Sequence, residues 1–474
     1  MKFPLTTGAY TAKSLVANAQ RCVNLYAEKN TQDSPFPFTY YQTPGLTELA
    51  TATPTFGSGW RGLFTASDGF GYGVCGNSLY KIDSSWGLTS LGEISTETGP
   101  VSMVDNGDTL VIVDGTTQGW QVDLESGKLS PIVDSGFYGS SRVDFVDGYL
   151  VFNRPNTTQW YISLVNQVDF DATDFASKSG YSDKLVAAAV AKRYVYLFGE
   201  ATSEVWFDAG DTPFPFSRLP GVFMQHGCAS ASSIAQMDGD LYWLSQSPQG
   251  NAVICKTEQY GATQISTFAI DNEIASYPDL GEAIGFTYQI EGHFFYVLTF
   301  PVSDKTWQFD LSTGQWNELA WVDADGNLHR HRANCYAFIN GLPVVGDWEN
   351  GKLYHWDVNN YTDAGNPIPR IRSFMHSVDD NSDRIRYREF IANMEVGNGS
   401  NYDPVPVFLR WSDTRGKSWG NAISVSLGME GEYLTSLQFQ RLGMARDRVF
   451  ELSWSAPAKT ALLGAWVQAQ SNNQ

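Results

Sequence analysis

Short apolar runs alternate with turn residues along this chain, and one such pattern is written twice. Trp120, Gln121, Asp123, Leu124 and Gly127 return at the same spacing as Trp307, Gln308, Asp310, Leu311 and Gly314. In each copy the tryptophan and the apolar residue two places on point to one face of a strand. The aspartate opens a turn, and the glycine supplies the positive φ that closes it. A second signal precedes these stretches: an acidic residue or Asn followed by Gly and then an apolar run, at Asp68, Asn106, Asp147, Asp238, Glu291 and Asn340. Lys192 and Arg193, followed by Tyr194 to Phe198, fill the remaining gap. Units of roughly 40 to 50 residues, each holding several short strands, are what a β-propeller blade requires. The pattern predicts about seven blades over residues 56–365, or six if the first or last unit is incomplete.

Two stretches inside this region depart from the repeat pattern. Leu185 to Ala191 has helical propensity, but its place just before Tyr194 to Phe198 predicts a buried inner strand. Pro213 and Pro215 make Thr212 to Phe216 a loop, whose two phenylalanines are either exposed or cover the bottom of a blade. Residues 1–55 do not fit the repeat. They are expected to run as an extended segment that packs on the C-terminal part or closes the propeller.

After Pro369 the pattern changes. Arg384, Ile385, Arg386, Tyr387, Arg388, Glu389 and Phe390 alternate so that one strand face is basic and the other apolar. A sheet packed on one side has that pattern. Further strands at 405–411, 421–427, 434–440, 447–454 and 462–467 predict a β-sandwich-like domain over residues 366–474. The expected class is all-β throughout. Arg384, Arg386 and Arg388 are candidate subunit contacts; the alternative is a solvated face paired with Asp379, Asp380 and Asp383.

Charge sharpens this division. The formal net charge is −20 over 474 residues. Residues 1–365 hold 19 Lys and Arg against 40 Asp and Glu, whereas residues 366–474 hold 12 against 11. The repeat region is therefore acidic, which argues against gripping nucleic acid, because phosphate binding needs clustered cations. Five cysteines, Cys22, Cys75, Cys228, Cys255 and Cys335, form no CxxC pair. That is the pattern of a reduced compartment, with neither disulfide framework nor zinc site expected. The N-terminus has no signal-peptide core and no apolar run has spanning length, so assembly in a cytoplasm without a membrane span is expected.

Candidate chemistry is sparse. His329 and His331 have strand spacing but lack further ligands, so a strand with two polar surface residues is expected and no metal or cofactor. Nucleophile-elbow and phosphate-loop patterns are absent. Turn carboxylates such as Asp68, Asp147 and Asp238 recur in unit after unit at one place, which marks a structural role. Ser412 to Trp419 resembles the Asp-box hairpin of sialidase-like propellers, with Thr414 where that box has Asp. The box is a fold element in that family, and no arginine triad or Tyr-Glu pair accompanies it. A carbohydrate-binding or glycosidase propeller stays open as the alternative function, and a peptide-binding scaffold propeller as a third.

An ordered set of further pieces carries a family resemblance. These are Val23 to Tyr26, Pro44 to Thr47, Val74 to Lys81, Gly99 to Met103, Phe198 to Phe207, Met224 to Gly227 and the hairpin at 412–419. In order and in total length the chain resembles the packaged-DNA stabilisation proteins of short-tailed bacteriophages, the tail hub or nozzle. The arginine strand and the segment 462–467 match in character only. The resemblance implies a non-enzymatic virion tail protein that forms a homo-hexamer below the portal and its adaptor. It also implies a role in retaining packaged DNA, a conduit for ejected double-stranded DNA without specific binding, and contacts with tailspike or fibre and needle or plug proteins.

Overall fold

The computed structural model describes residues 2–471 apart from 4, 251 and 398–404. The chain is all-β, and its largest feature is a propeller. Seven four-stranded antiparallel units follow one another in sequence, with first strands Trp60–Thr65, Ser102–Asp105, Val143–Val146, Leu185–Ala191, Ala235–Met237, Ile284–Ile290 and Ala333–Ile339. Numbered in that order, blades 1 to 5 are separate sheets, while blades 6 and 7 are continued by strands from elsewhere in the chain.

Leu185–Ala191 shows how the sequence packs blades together. As a strand, it turns Ala187, Ala189 and Ala191 toward Trp243 of blade 5, and Ala188 and Val190 toward Val151 and Trp160 of blade 3. Small side chains on both faces let neighbouring sheets approach, and strand pairing overrides the helical propensity of alanine. Phe214 and Phe216 pack their rings against Trp160, at 5.1 and 5.4 Å, so they cover blade 3. The helix Phe268–Ile274 has no counterpart in the sequence reading; Thr267 caps it by accepting from the Ile270 amide at 3.4 Å.

The recurring turns join blades as well as strands. Asp147 and Asp238 take φ of 50° and 51°. Arg193 of blade 4 meets Asp147 of blade 3 at 2.7 Å, and Lys192 of blade 4 meets Asp240 of blade 5 at 2.6 Å. Asp105 of blade 2 accepts from the Ser67 amide of blade 1 at 2.6 Å.

The N-terminal arm is woven into both parts of the molecule. Gly45–Thr51 is the fourth strand of blade 7, antiparallel to Lys352–Asp357, and the Trp356 indole donates to the Pro44 carbonyl at 3.0 Å. Blade 7 in turn packs against blade 1, which closes the ring. Cys22–Val23 lies between Gln315–Val322 of blade 6 and Arg370–Ser373, and the sheet runs on through Asp447–Trp454, Pro406–Ser412 and Ile423–Ser426. A second sheet, ordered Leu437–Gln440, Ile385–Met394, Ala461–Ser471, Phe38–Gln42 and Leu25–Lys29, packs on it. Phe3, Phe374, Phe390 and Phe450 interlock between the two sheets.

Asp363 sits where propeller and sandwich meet. It is 4% exposed, its Oδ1 has no hydrogen-bond partner among the described residues, and burial pushes its carboxyl up to about 7 despite the Arg370 and Arg332 cations nearby. The folded state thus holds a proton that the unfolded chain releases near its usual 3.8. This contribution to stability is full below that value and is lost as pH rises through about 7. Asp363→Asn is expected to remove the decline, measured as denaturant midpoints at pH 5 and pH 8. An equal decline in the variant would contradict the assignment.

Candidate docking surface

The duplicated stretch is a hairpin in both places. It joins the third and fourth strands of blade 2, Gly119–Asp123 and Lys128–Pro131, and those of blade 6, Lys305–Asp310 and Gln315–Val322. Asp123 accepts from the Ser126 amide at 2.7 Å and Asp310 from that of Ser312 at 2.8 Å; Gly127 and Gly314 take φ of 71° and 69°. Burial separates the copies. Trp120 is half-buried and Asp123 exposed, whereas Trp307 is buried and donates to Tyr277 Oη at 3.0 Å, and buried Asp310 meets His293 at 3.0 Å. Blade 6 is covered by the helix and the sandwich, while blade 2 faces solvent.

The histidines do not form a site. His329 lies between Asp304 and Asp323, at 2.7 and 3.1 Å, and these carboxylates raise its pKa. His331 is not a surface residue as the spacing implied: it is 4% exposed, stacks on Trp356, and is pushed down to about 4 by burial and Arg332. Among the described residues no group of three His, Cys, Asp or Glu is placed to hold a metal ion. The five cysteines are free and buried.

The Asp-box-like hairpin lies in the sandwich. Ser412 Oγ accepts from the Gly416 amide at 2.8 Å, and Thr414 Oγ1 accepts from the Ser418 amide at 2.8 Å, so the threonine holds the turn where a carboxylate would. Asp413 receives both arms of the Arg448 guanidinium, at 2.6 and 2.8 Å. That guanidinium is buried against Tyr387 and Trp411.

One strand face of this domain carries exposed arginines. In Ile385–Met394, Ile385 and Tyr387 turn inward and Arg386 and Arg388 outward, and Arg384, just before the strand, is exposed as well. A bulge between Tyr387 and Glu389 then shifts the register, so that Phe390, Ala392 and Met394 point inward. None of the three arginines makes an ion pair among the described residues, and the expected alternative pairing with Asp379, Asp380 and Asp383 is not seen. Arg386 and Arg388, with Arg441 on the next strand connection, line an open groove of about 890 Å³. Sequence alternation found the three strand arginines. Arg441 was missed because it reaches the same face from a turn, where its φ is 62°.

Comparison with known proteins places this architecture. The family model described as Bacteriophage P22 Gp10, beta-propeller, matches residues 1–361. The chain belongs to this family. It is a family of structural phage proteins that stabilise packaged DNA, with a propeller fold. The match ends at the last blade, so the arginine face lies beyond it, and it takes in the N-terminal arm. Asn24, in one of the pieces that carried the resemblance, donates to the carbonyls of Ala320 and Pro369, each at 2.8 Å, pinning the arm to blade 6. No curated protein matches the chain. Among solved structures, the WD40 beta-propeller domain of Doa1 is similar at 12% identity, with a TM-score of 0.41, over 66% of this chain and 98% of that one. No described helix is long and apolar enough to cross a membrane.

Proposed function

We propose that this protein is the hub or nozzle subunit of a short phage tail. Six copies form a ring below the portal and its adaptor, keep packaged DNA in the head, and later serve as part of the ejection conduit. Family membership over residues 1–361 is the observation that carries the reading. Two physical features support it. The arm that closes the propeller also supplies strands to the sandwich, which makes one stiff body of the kind a spacer between portal and spike needs. Six copies at −20 each would also surround passing DNA with like charge, which favours sliding over sticking.

In this reading the arginine face is a docking surface, and tailspike or fibre and needle or plug proteins attach elsewhere on the hub. The protein acts as a virion tail component assembled in the host cytoplasm and carries out no catalysis. The test is electron cryomicroscopy of DNA-filled, tail-less heads carrying portal and adaptor, after addition of the purified protein. A six-fold ring of this fold below the adaptor is expected. Bare vertices, or density away from the portal, would contradict the proposal.

A further inference from the structure

Two surfaces of the chain are complementary in charge. The first is the outer face of the sandwich. Beside the groove lined by Arg386, Arg388, Arg441 and Glu389 lies a second, of about 490 Å³, lined by Arg384, Arg415 and Arg446 with Asp413 and Asp447, so six arginines face three carboxylates; Met444 borders both and is 50% exposed. Arg415 pairs with Asp447, and Arg446 donates to the Ser382 carbonyl. The other four arginines have neither ion pair nor side-chain hydrogen bond among the described residues. All six cations are arginine, around an exposed methionine. Arginine and methionine are enriched at protein interfaces, where lysine is depleted, so this face suits a protein surface.

The second surface is one end of the propeller. Antiparallel strands repeated in the same order bring the turns after the first and third strands of every blade to the same end of the ring. Between the strands, these turns hold eleven carboxylates and two cations. The cations, Lys192 and Arg193, are engaged by Asp240 and Asp147. Connections at the opposite end, the helix Phe268–Ile274 and the strand Leu328–Arg330 included, hold thirteen carboxylates and six cations, spread over about twice the length of chain. Negative charge is therefore densest at the first end.

We infer that the arginine face of one copy seats on the acidic turn face of the next copy's propeller. This rests on the ring proposed above and specifies its contact. The association is heterologous, two different faces meeting head to tail, which is the kind of contact that closes a ring. Arginine against arginine across a two-fold axis would repel.

Charge reversal in the full chain tests the contact. One variant carries Arg386→Glu, Arg388→Glu and Arg441→Glu; the other carries Asp108→Lys, Glu125→Lys and Asp169→Lys. All six positions are exposed, so both variants are expected to melt like the wild type. The readout is copies bound per vertex on filled heads carrying portal and adaptor. Each variant alone sets like charges against one another at the three reversed positions, glutamate against carboxylate or lysine against arginine, and is expected to bind at least about tenfold less. An equal mixture alternates the two variants through complementary faces and is expected to restore the wild-type count. Failure of the mixture to restore binding would overturn the inference, as would normal rings from either variant alone. So would binding of a DNA duplex by the wild type that only the arginine variant loses, which would assign the face to nucleic acid. Absence of rings from the wild-type protein would instead remove the ring itself.

Discussion

Arg372→Met is expected to cost about 3 kcal/mol or more, because it leaves several buried carbonyls without their donor. Arg372 is fully buried in the strand Arg370–Ser373. Its guanidinium donates to the carbonyls of Thr7, Arg21 and Ser373 and to the Gln20 side chain, and it lies 5.0 Å from the Tyr40 ring centroid. One side chain thereby ties the start of the N-terminal arm to the sandwich. Methionine keeps most of the volume and none of the donors. The loss should appear in the denaturant midpoint and as faster hydrogen exchange over residues 5–21. Lysine, with a point charge in place of a planar fork, is expected to recover only part of it. Unchanged exchange in the arm with an unchanged midpoint would contradict this role.

Trp60→Ala is expected to cost about 3–5 kcal/mol, the range for removing a large buried aromatic side chain. Trp60 is fully buried in the first strand of blade 1, at the seam with blade 7. Two glycines make its space. A Cβ on Gly73 of the same blade would lie 2.6 Å from the indole ring, and one on Gly346 of blade 7 would lie 2.4 Å from Trp60 Cβ. Neither glycine has a positive φ, so close approach is the reason for it. Trp60→Phe should retain much of the stability lost in the alanine variant. Equal destabilisation by Phe and Ala in denaturant titrations would show that the ring does not depend on filling this seam.

These two sites also mark the limit of what the sequence discloses. The blade repeat was legible because it is local: Asp or Asn with Gly fixes a turn, and the apolar run after it fixes a strand. Leu185–Ala191 was legible from its neighbours, despite an alanine content that favours helix. Trp60 and Gly346 were not, since their relation is a contact between blades far apart in sequence. The sharing of one sheet by blade 6, Cys22–Val23 and the sandwich is likewise a long-range pairing without a local signature. Alternation exposed Arg384, Arg386 and Arg388 as one face, but it could not say whether nearby aspartates would neutralise them. Among the described residues none of the three makes an ion pair with Asp379, Asp380 or Asp383, and all three are exposed. Surface position for His331 was read from spacing alone, and it failed because the residue lies past the end of its short strand, Leu328–Arg330, stacked on Trp356.

The proposed role of this protein is to keep packaged DNA in the head. Its most direct test is the fraction of DNA that stays nuclease-resistant in filled, tail-less heads carrying portal and adaptor, with and without the purified protein. Added protein is expected to hold the DNA inside while untreated heads lose theirs. Equal loss from treated and untreated heads would contradict the account.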